Sequence, residues 1–329
     1  MAKNRFRFLT GEDVREALSM PEAVVLMKDA FVALSEGQAT VPVRMNVPMP
    51  EYRGRTLLMP VYVPGTARFG LKVVGIHENN PGRGLPLIHA LVMVMDAATG
   101  RPVAMMDGEY LTALRTGAAS GLATDVLARK GAEVAALFGA GVQGRTQLEA
   151  VCAVRPIRRA YIFDTRSDVA AALAKEMSEH LSVDVQVAPS AGVLREADVI
   201  CTATTSLTPV FAHADLKADV HINGIGSYRP DMSEIPPETV LAAKVVVGHK
   251  ASCLSEAGDF IQLLQQGKMT PEHIHAELGE IVAGRKAGRT SDDEVTFFKS
   301  VGNAVQDLMA ASRVVSVAEE RNLGTEVLL

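Results

Sequence analysis

The chain has 329 residues, enough to bury a sizeable core and to divide into two domains. Thirty-three Lys and Arg stand against 38 Asp and Glu, and the formal charge of -5 excludes a basic nucleic-acid-binding surface or a polybasic membrane anchor. Three scattered cysteines exclude a disulfide framework and a Cys-rich metal site. No run approaches the roughly 20 apolar residues of a membrane span, and the start MAKNRFRFLTGEDV has no long apolar leader, so the cytoplasm is the expected compartment.

Ser19-Met20-Pro21-Glu22 fits a capping box. Val24, Met27, Phe31 and Leu34 follow at spacings of three and four, which predicts a helix ending near Gly37. Residues 56–59, 69–74 and 90–95 read as short strands between Gly/Pro-rich turns, with residues 97–100 joining the last to 103–106 as a hairpin. The first 120 residues are therefore expected to be α+β. A helix over 110–128 leads to Gly131, after which strands at 134–138, 160–163, 185–187, 199–202, 220–223 and 244–247 alternate with helical segments. That alternation predicts a mostly parallel sheet covered on both faces, ending near residue 290. Ser291–Asp293 are expected to cap a final helix, and the segment from Thr296 through Glu320 to return to the first domain.

Gly139-Ala140-Gly141-Val142-Gln143-Gly144 places GxGxxG directly after the 134–138 strand and at the start of a helix, the context in which this motif binds a dinucleotide. Gly139 permits the tight turn, Gly141 the approach of pyrophosphate, and Gly144 close helix–sheet contact, while the amides at Val142 and Gln143 face phosphate charge. Asp164 lies 20 residues beyond Gly144, after the next strand, where a carboxylate accepts hydrogen bonds from an adenosine ribose; with Thr165 it favours NAD(H). The adjoining Arg166 leaves NADP(H) open, because a guanidinium can bind a 2′-phosphate.

Lys72, inside an apolar strand, needs a carboxylate partner if buried, and is otherwise a lysine on a solvent face. Arg44 and Arg115 are either forks for a substrate carboxylate or ordinary surface charges. His77 with Glu78 is either a proton relay or a polar turn, and His89 either a site residue or a packed one. His273 and His275 share no helical face and lack a third ligand, so they are read as solvated and no metal is expected.

From Phe8 to Ala311 the chain resembles the ornithine cyclodeaminase/mu-crystallin family. The resemblance rests on Lys72 with His77, Ala113-Leu114-Arg115-Thr116-Gly117-Ala118-Ala119-Ser120, Gly139–Gly144, the Asn223–Gly226 turn and Thr296-Phe297-Phe298-Lys299-Ser300-Val301-Gly302, in that order. It implies a homodimer built from a discontinuous α+β domain, 1–122 plus 296–329, that also binds substrate, around a Rossmann-like α/β dinucleotide domain over 123–295. It further implies that Arg44, Lys72 and Arg115 form the substrate-carboxylate pocket, that Thr116 lies near a cofactor phosphate, and that Asn223, Gly224 and Ile225 form the turn beside nicotinamide. Cyclodeaminases carry acidic residues where this chain has Tyr228 and approximately Leu57, and Ser-Tyr-Arg-Pro-Asp looks like the branch that reduces ketimines or imino acids. The implied reaction is NAD(P)H-dependent reduction of a small cyclic 2-imino carboxylic acid, such as pyrroline- or piperideine-2-carboxylate. Ornithine cyclisation, alanine-type dehydrogenation and mu-crystallin-like ligand binding stand as alternatives.

Overall fold

The computed structural model describes residues 5–329. In chain order the elements are β1 (Arg5–Leu9), α1 (Gly11–Ala17), α2 (Met20–Ser35), β2 (Met45–Met49), β3 (Gly54–Tyr62), β4 (Arg68–His77), β5 (Ile88–Asp96), β6 (Pro102–Asp107) and α3 (Gly108–Leu127). Next come β7 (Val134–Phe138), α4 (Val142–Val154), β8 (Arg159–Phe163), α5 (Ser167–Leu181), β9 (Asp184–Val187), β10 (Val199–Thr202), β11 (His221–Gly224), α6 (Pro237–Ala242) and β12 (Lys244–Val247). The chain closes with α7 (Lys250–Glu256), α8 (Gly258–Gln265), β13 (Ile274–Glu277), α9 (Leu278–Val282), β14 (Thr296–Lys299), α10 (Ala304–Arg321) and β15 (Thr325–Leu328). Among the described residues no helix is long and apolar enough to cross a membrane.

Two compact units emerge, one formed by residues 1–115 with 303–329 and the other by residues 116–302. In the first, seven strands pair in the order β15-β1-β6-β5-β4-β3-β2. The Ser19 capping box starts α2 and Gly37 follows its end at φ 66°. On the core face of β4, alternation buries Gly70, Lys72 and Val74. Helix α10 lies against β3, β4 and β5, and the missing side chain at Gly70 leaves room for Leu308. Asn303 caps this helix by accepting from Val305 N, so the expected cap at Ser291–Asp293 is corrected: a loop and β14 intervene.

The second unit is a sheet of eight strands in the order β13-β12-β14-β11-β10-β7-β8-β9, every pairing parallel. Alternate residues of β7 enter opposite cores: Ala136 and Phe138 pack with Ile200, Ile222 and Phe297, while Ala135 and Leu137 pack with Val199, Ala160 and Ile162. Both faces being covered explains why these strands read as apolar runs. Strand order reverses at β7, so the crevice outside the carboxyl ends of β7 and β10 is where such a sheet takes a ligand.

The boundary at residue 296 is corrected. Strand β14 sits between β11 and β12 and belongs to this sheet, because Thr296–Lys299 is buried on both faces and its backbone needs two ladders. His275 lies in β13, and neither it nor His273 is merely solvated: His275 Nε2 pairs with Ala287 O and His273 Nε2 with Val240 O, both at 2.9 Å.

Candidate active site

The glycine-rich turn is shaped as a cradle. Gly139 has φ 97°, which favours glycine, and a side chain there would press on the Ala203 carbonyl. A Cβ at Gly144 would strike the Gly139 carbonyl, so that glycine lets α4 close onto the turn. At Gly141 a Cβ would meet nothing within 4 Å, and no side chain caps the first turn of α4. The first-turn amides around Val142 and Gln143 therefore face open space at the positive end of a 13-residue helix, and a pyrophosphate fits there.

Asp164 follows β8, and its carboxylate binds the turn itself: Oδ2 accepts from Ala140 N at 2.8 Å and Oδ1 from Arg166 N at 2.9 Å. Thr165 and the Arg166 side chain are exposed, with Arg166 Nε 3.7 Å from Asp164 Oδ1. Thr116 is buried in α3. The side chain of Asn223 is spent in the core, where Nδ2 donates to Thr124 Oγ1 at 2.9 Å and Oδ1 meets His221 Nε2 at 3.2 Å. Burial lowers the pKa of His221 to about 3, so the imidazole stays neutral in this network. The backbone that follows is engaged as well, Ile225 N donating to Thr202 O at 2.9 Å and Gly224 O accepting from Ser300 N at 3.3 Å.

In the other unit Lys72 and Arg115 converge on one carboxylate that sequence reasoning missed. Asp307, in the first turns of α10, holds Lys72 Nζ 2.7 Å from Oδ2 and Arg115 Nε 2.9 Å from Oδ1, with all three side chains buried. Gln306 Oε1 accepts from Arg115 Nη1 at 3.1 Å and from Asn303 N at 2.9 Å, while its Nε2 is buried without a protein partner among the described residues. The charge of Arg44 is felt at Lys72. Burial lowers the pKa of Lys72 to about 8, with Asp307 opposing and Arg115 and Arg44 adding to the fall. Burial alone would lift Asp307, yet Arg115 and Lys72 outweigh it and hold the carboxyl below its ordinary range. Two buried cations thus meet one carboxylate, with the charge of Arg44 felt at Lys72.

The other polar candidates stand apart. His77 packs against the bare Cα of Gly54, Glu78 pairs with Arg53 at 2.9 Å, and exposed His89 binds Glu109 at 2.7 Å. Lys72 and His77 lie five residues apart on β4 and so point to opposite faces. Among the described residues no cluster could hold a metal ion. Asp307 left one signal in sequence, an acid between Val305 and Leu308 on a helix that must be buried. Glu234, Asp259 and Lys299 form a second missed group, a buried network in the dinucleotide unit.

A dinucleotide cradle on a parallel sheet and a buried cationic site in a second unit define a nicotinamide-dependent oxidoreductase. The sequence profile of the ornithine cyclodeaminase/mu-crystallin family matches residues 5–322, and the chain belongs to that family. It is 38% identical to the Δ1-pyrroline-2-carboxylate reductase of Bacillus cereus over 97% of this chain and 98% of that one. Among solved structures, the Thermococcus litoralis Δ1-pyrroline-2-carboxylate reductase in complex with NADH and L-proline superposes with a TM-score of 0.94 at 40% identity, covering 98% of this chain and all of that one. An archaeal alanine dehydrogenase dimer with bound NAD gives 0.91 at 34% identity, covering 98% and 99%.

Proposed function

We propose that the chain is an NADH-dependent reductase of Δ1-pyrroline-2-carboxylate and related cyclic 2-imino carboxylic acids. The observation that carries the reading is the convergence of Lys72 and Arg115 on buried Asp307, with Arg44 near enough to act on Lys72. A substrate carboxylate neutralises the excess positive charge there, and Gln306 Nε2 is one more donor for it. Reduced nicotinamide, when bound, supplies the hydride. The work of the protein is to hold the carboxylate so that the C=N carbon has one orientation and water is excluded. The protonated imine nitrogen draws electrons from that carbon, takes them up as the C–H bond forms, and keeps its proton in the cyclic amine product. Lys72, with a pKa of about 8, carries its proton at neutral pH and so adds its charge to the hold on the carboxylate.

The dinucleotide is read as NAD(H). Gly139, Gly141, Gly144, Val142 and Gln143 would hold its pyrophosphate, Thr116 would lie near a phosphate, and Asp164 would turn to the ribose diol beside Thr165 and Arg166. A cyclodeaminase would need an acid near Tyr228. The nearest carboxylate in sequence, Asp231, is held by Arg229 through two bonds of 3.0 Å, which favours the reductase reading. A homodimer is supported by β2, an edge strand whose Met45 and Val47 are exposed beside Val43 and Tyr52, an apolar edge that a second copy would cover. Three free cysteines fit a reducing compartment such as the cytoplasm. The reading is tested by incubating the protein with NADH or NADPH and each of pyrroline-2-carboxylate, piperideine-2-carboxylate, pyruvate with ammonia, and ornithine, then identifying the products.

A further inference from the structure

The carboxylate of Glu234 is wholly buried and accepts five hydrogen bonds. Oε2 accepts from Thr202 Oγ1 at 2.9 Å, Gly226 N at 2.7 Å and Ser227 N at 3.1 Å, and Oε1 accepts from Thr204 N at 2.6 Å and Thr204 Oγ1 at 2.8 Å. Thr202 ends β10, and Gly226 and Ser227 follow β11, its neighbour in the sheet. One side chain thus ties two adjacent turns at the carboxyl edge. The glycine-rich turn leans on the same place, since a Cβ on Gly139 would press on Ala203 O. There is no slack either: a Cβ on Gly226 would collide with the Thr204 carbonyl and with Glu234.

Behind Glu234 stands a support. Asp259 Oδ1 accepts from Glu234 N at 2.8 Å, Ile235 N at 3.2 Å and Ser233 Oγ at 3.2 Å, and its Oδ2 faces Lys299 Nζ at 3.3 Å. Lys299 ends β14, the strand beyond β11, and is completely buried. Two carboxylates and one ammonium have therefore been taken out of water, a costly device where apolar side chains would hold a fold equally well. What apolar packing cannot do is fix five backbone and hydroxyl donors in direction. All five belong to the edge of the sheet where a dinucleotide lies in this topology.

We propose that Glu234 is a positioning residue for the nicotinamide end of the cofactor: by joining the turns after β10 and β11 it sets the wall on which the ring rests. Asp259 and Lys299 act through it. The inference rests on the reading of NADH as the cofactor and adds to it the residue that governs the ring rather than the adenosine.

Glu234→Gln keeps the shape but turns an NH2 group toward a ring of donors, so the two turns must part. The full-length protein and this variant are compared by thermal melting, NADH titration, the emission of bound NADH, and the deuterium isotope effect on turnover with 4-deuterated NADH. The variant is expected to bind NADH with an affinity within a few-fold of the parent, because the phosphate cradle is untouched, but with emission that reports a looser ring. Turnover is expected to fall about 100-fold, the size of effect that small misplacements produce, and the isotope effect to rise as hydride transfer from the misplaced ring becomes the limiting step. A lower melting temperature with parental emission, isotope effect and turnover per folded molecule overturns the proposal. Should Glu234→Gln fail to fold, Thr202→Val removes a single donor and must shift emission and isotope effect in the same direction; unchanged values overturn the proposal as well. If the parent binds NADH yet reduces no imino acid, the substrate reading fails while the emission comparison still decides the role of Glu234. A parent that binds no NADH overturns both.

Discussion

Lys72→Met tests the anion site through its proton. Methionine fills much the same space without the charge, and Asp307 keeps Arg115 at 2.9 Å, so the variant should fold. The suitable ligand is cyclopentanecarboxylate, which has the carboxylate and ring but no nitrogen to titrate, measured as a competitive inhibitor. In the parent its inhibition constant should be flat below about pH 7 and climb toward tenfold per pH unit above about 8, as Lys72 loses the proton that attracts the anion. In Lys72→Met the climb should vanish. At pH 7 affinity should fall by about 2 kcal/mol, roughly 30-fold, the low end for losing one buried charged partner because Arg44 and Arg115 remain. Stability carries the same signature. The folded pKa of about 8 lies below the ordinary lysine value of 10.5, so the contribution of Lys72 is present above 10.5 and is lost as pH falls through 8. The parent should therefore gain up to about 3 kcal/mol relative to the variant between those values. A variant with the same inhibition constant at pH 7, or the same climb above pH 8, refutes the assignment of Lys72 to the carboxylate.

The two glycines of the turn should separate folding from binding. Gly141→Ala has room for its methyl and should melt like the parent while binding NADH more weakly in a titration, whereas Gly144→Ala drives a methyl into the Gly139 carbonyl and should lower the melting temperature. Asp307→Asn leaves two buried cations short of a counter-charge and should cost about 3–5 kcal/mol in a denaturant titration; a loss below about 1 kcal/mol, the size of a surface ion pair, would contradict the burial argument. Asp164→Ser should narrow the preference for NADH over NADPH in initial-rate assays, and an unchanged ratio would remove Asp164 from adenosine recognition. Val47→Asp on the exposed edge of β2 should shift sedimentation toward monomer if a second copy covers that strand.

The dinucleotide unit was legible because its signals are local. A buried parallel strand must be apolar on both faces, and the turn from β7 to α4 needs glycine where φ is positive or carbonyls crowd, so β7, β8 and the start of α4 were placed within a residue or two. Lys72 was legible as a charge in an apolar strand, but its partner Asp307 lies 235 positions later on another element, and no periodicity joins them. The same distance hid Glu234, whose five donors come from two strand ends and whose support comes from Asp259 and Lys299. Strand β14 was misplaced for a related reason. Thr-Phe-Phe-Lys is too short to distinguish from the start of the following helix, and its place between β11 and β12 depends on pairings that local pattern does not encode. Asn223, expected in a turn, lies within β11, and its amide is spent on Thr124 and His221, partners outside the motif that suggested it.

The reaction is decided by the products and cofactor balance when the protein meets NADH with Δ1-pyrroline-2-carboxylate, and separately ornithine with NAD. One proline should form for each NADH oxidised in the first reaction, and no ammonia should be released in the second. Proline and ammonia from ornithine without net cofactor change, together with no reduction of the imino acid, would contradict the reductase reading.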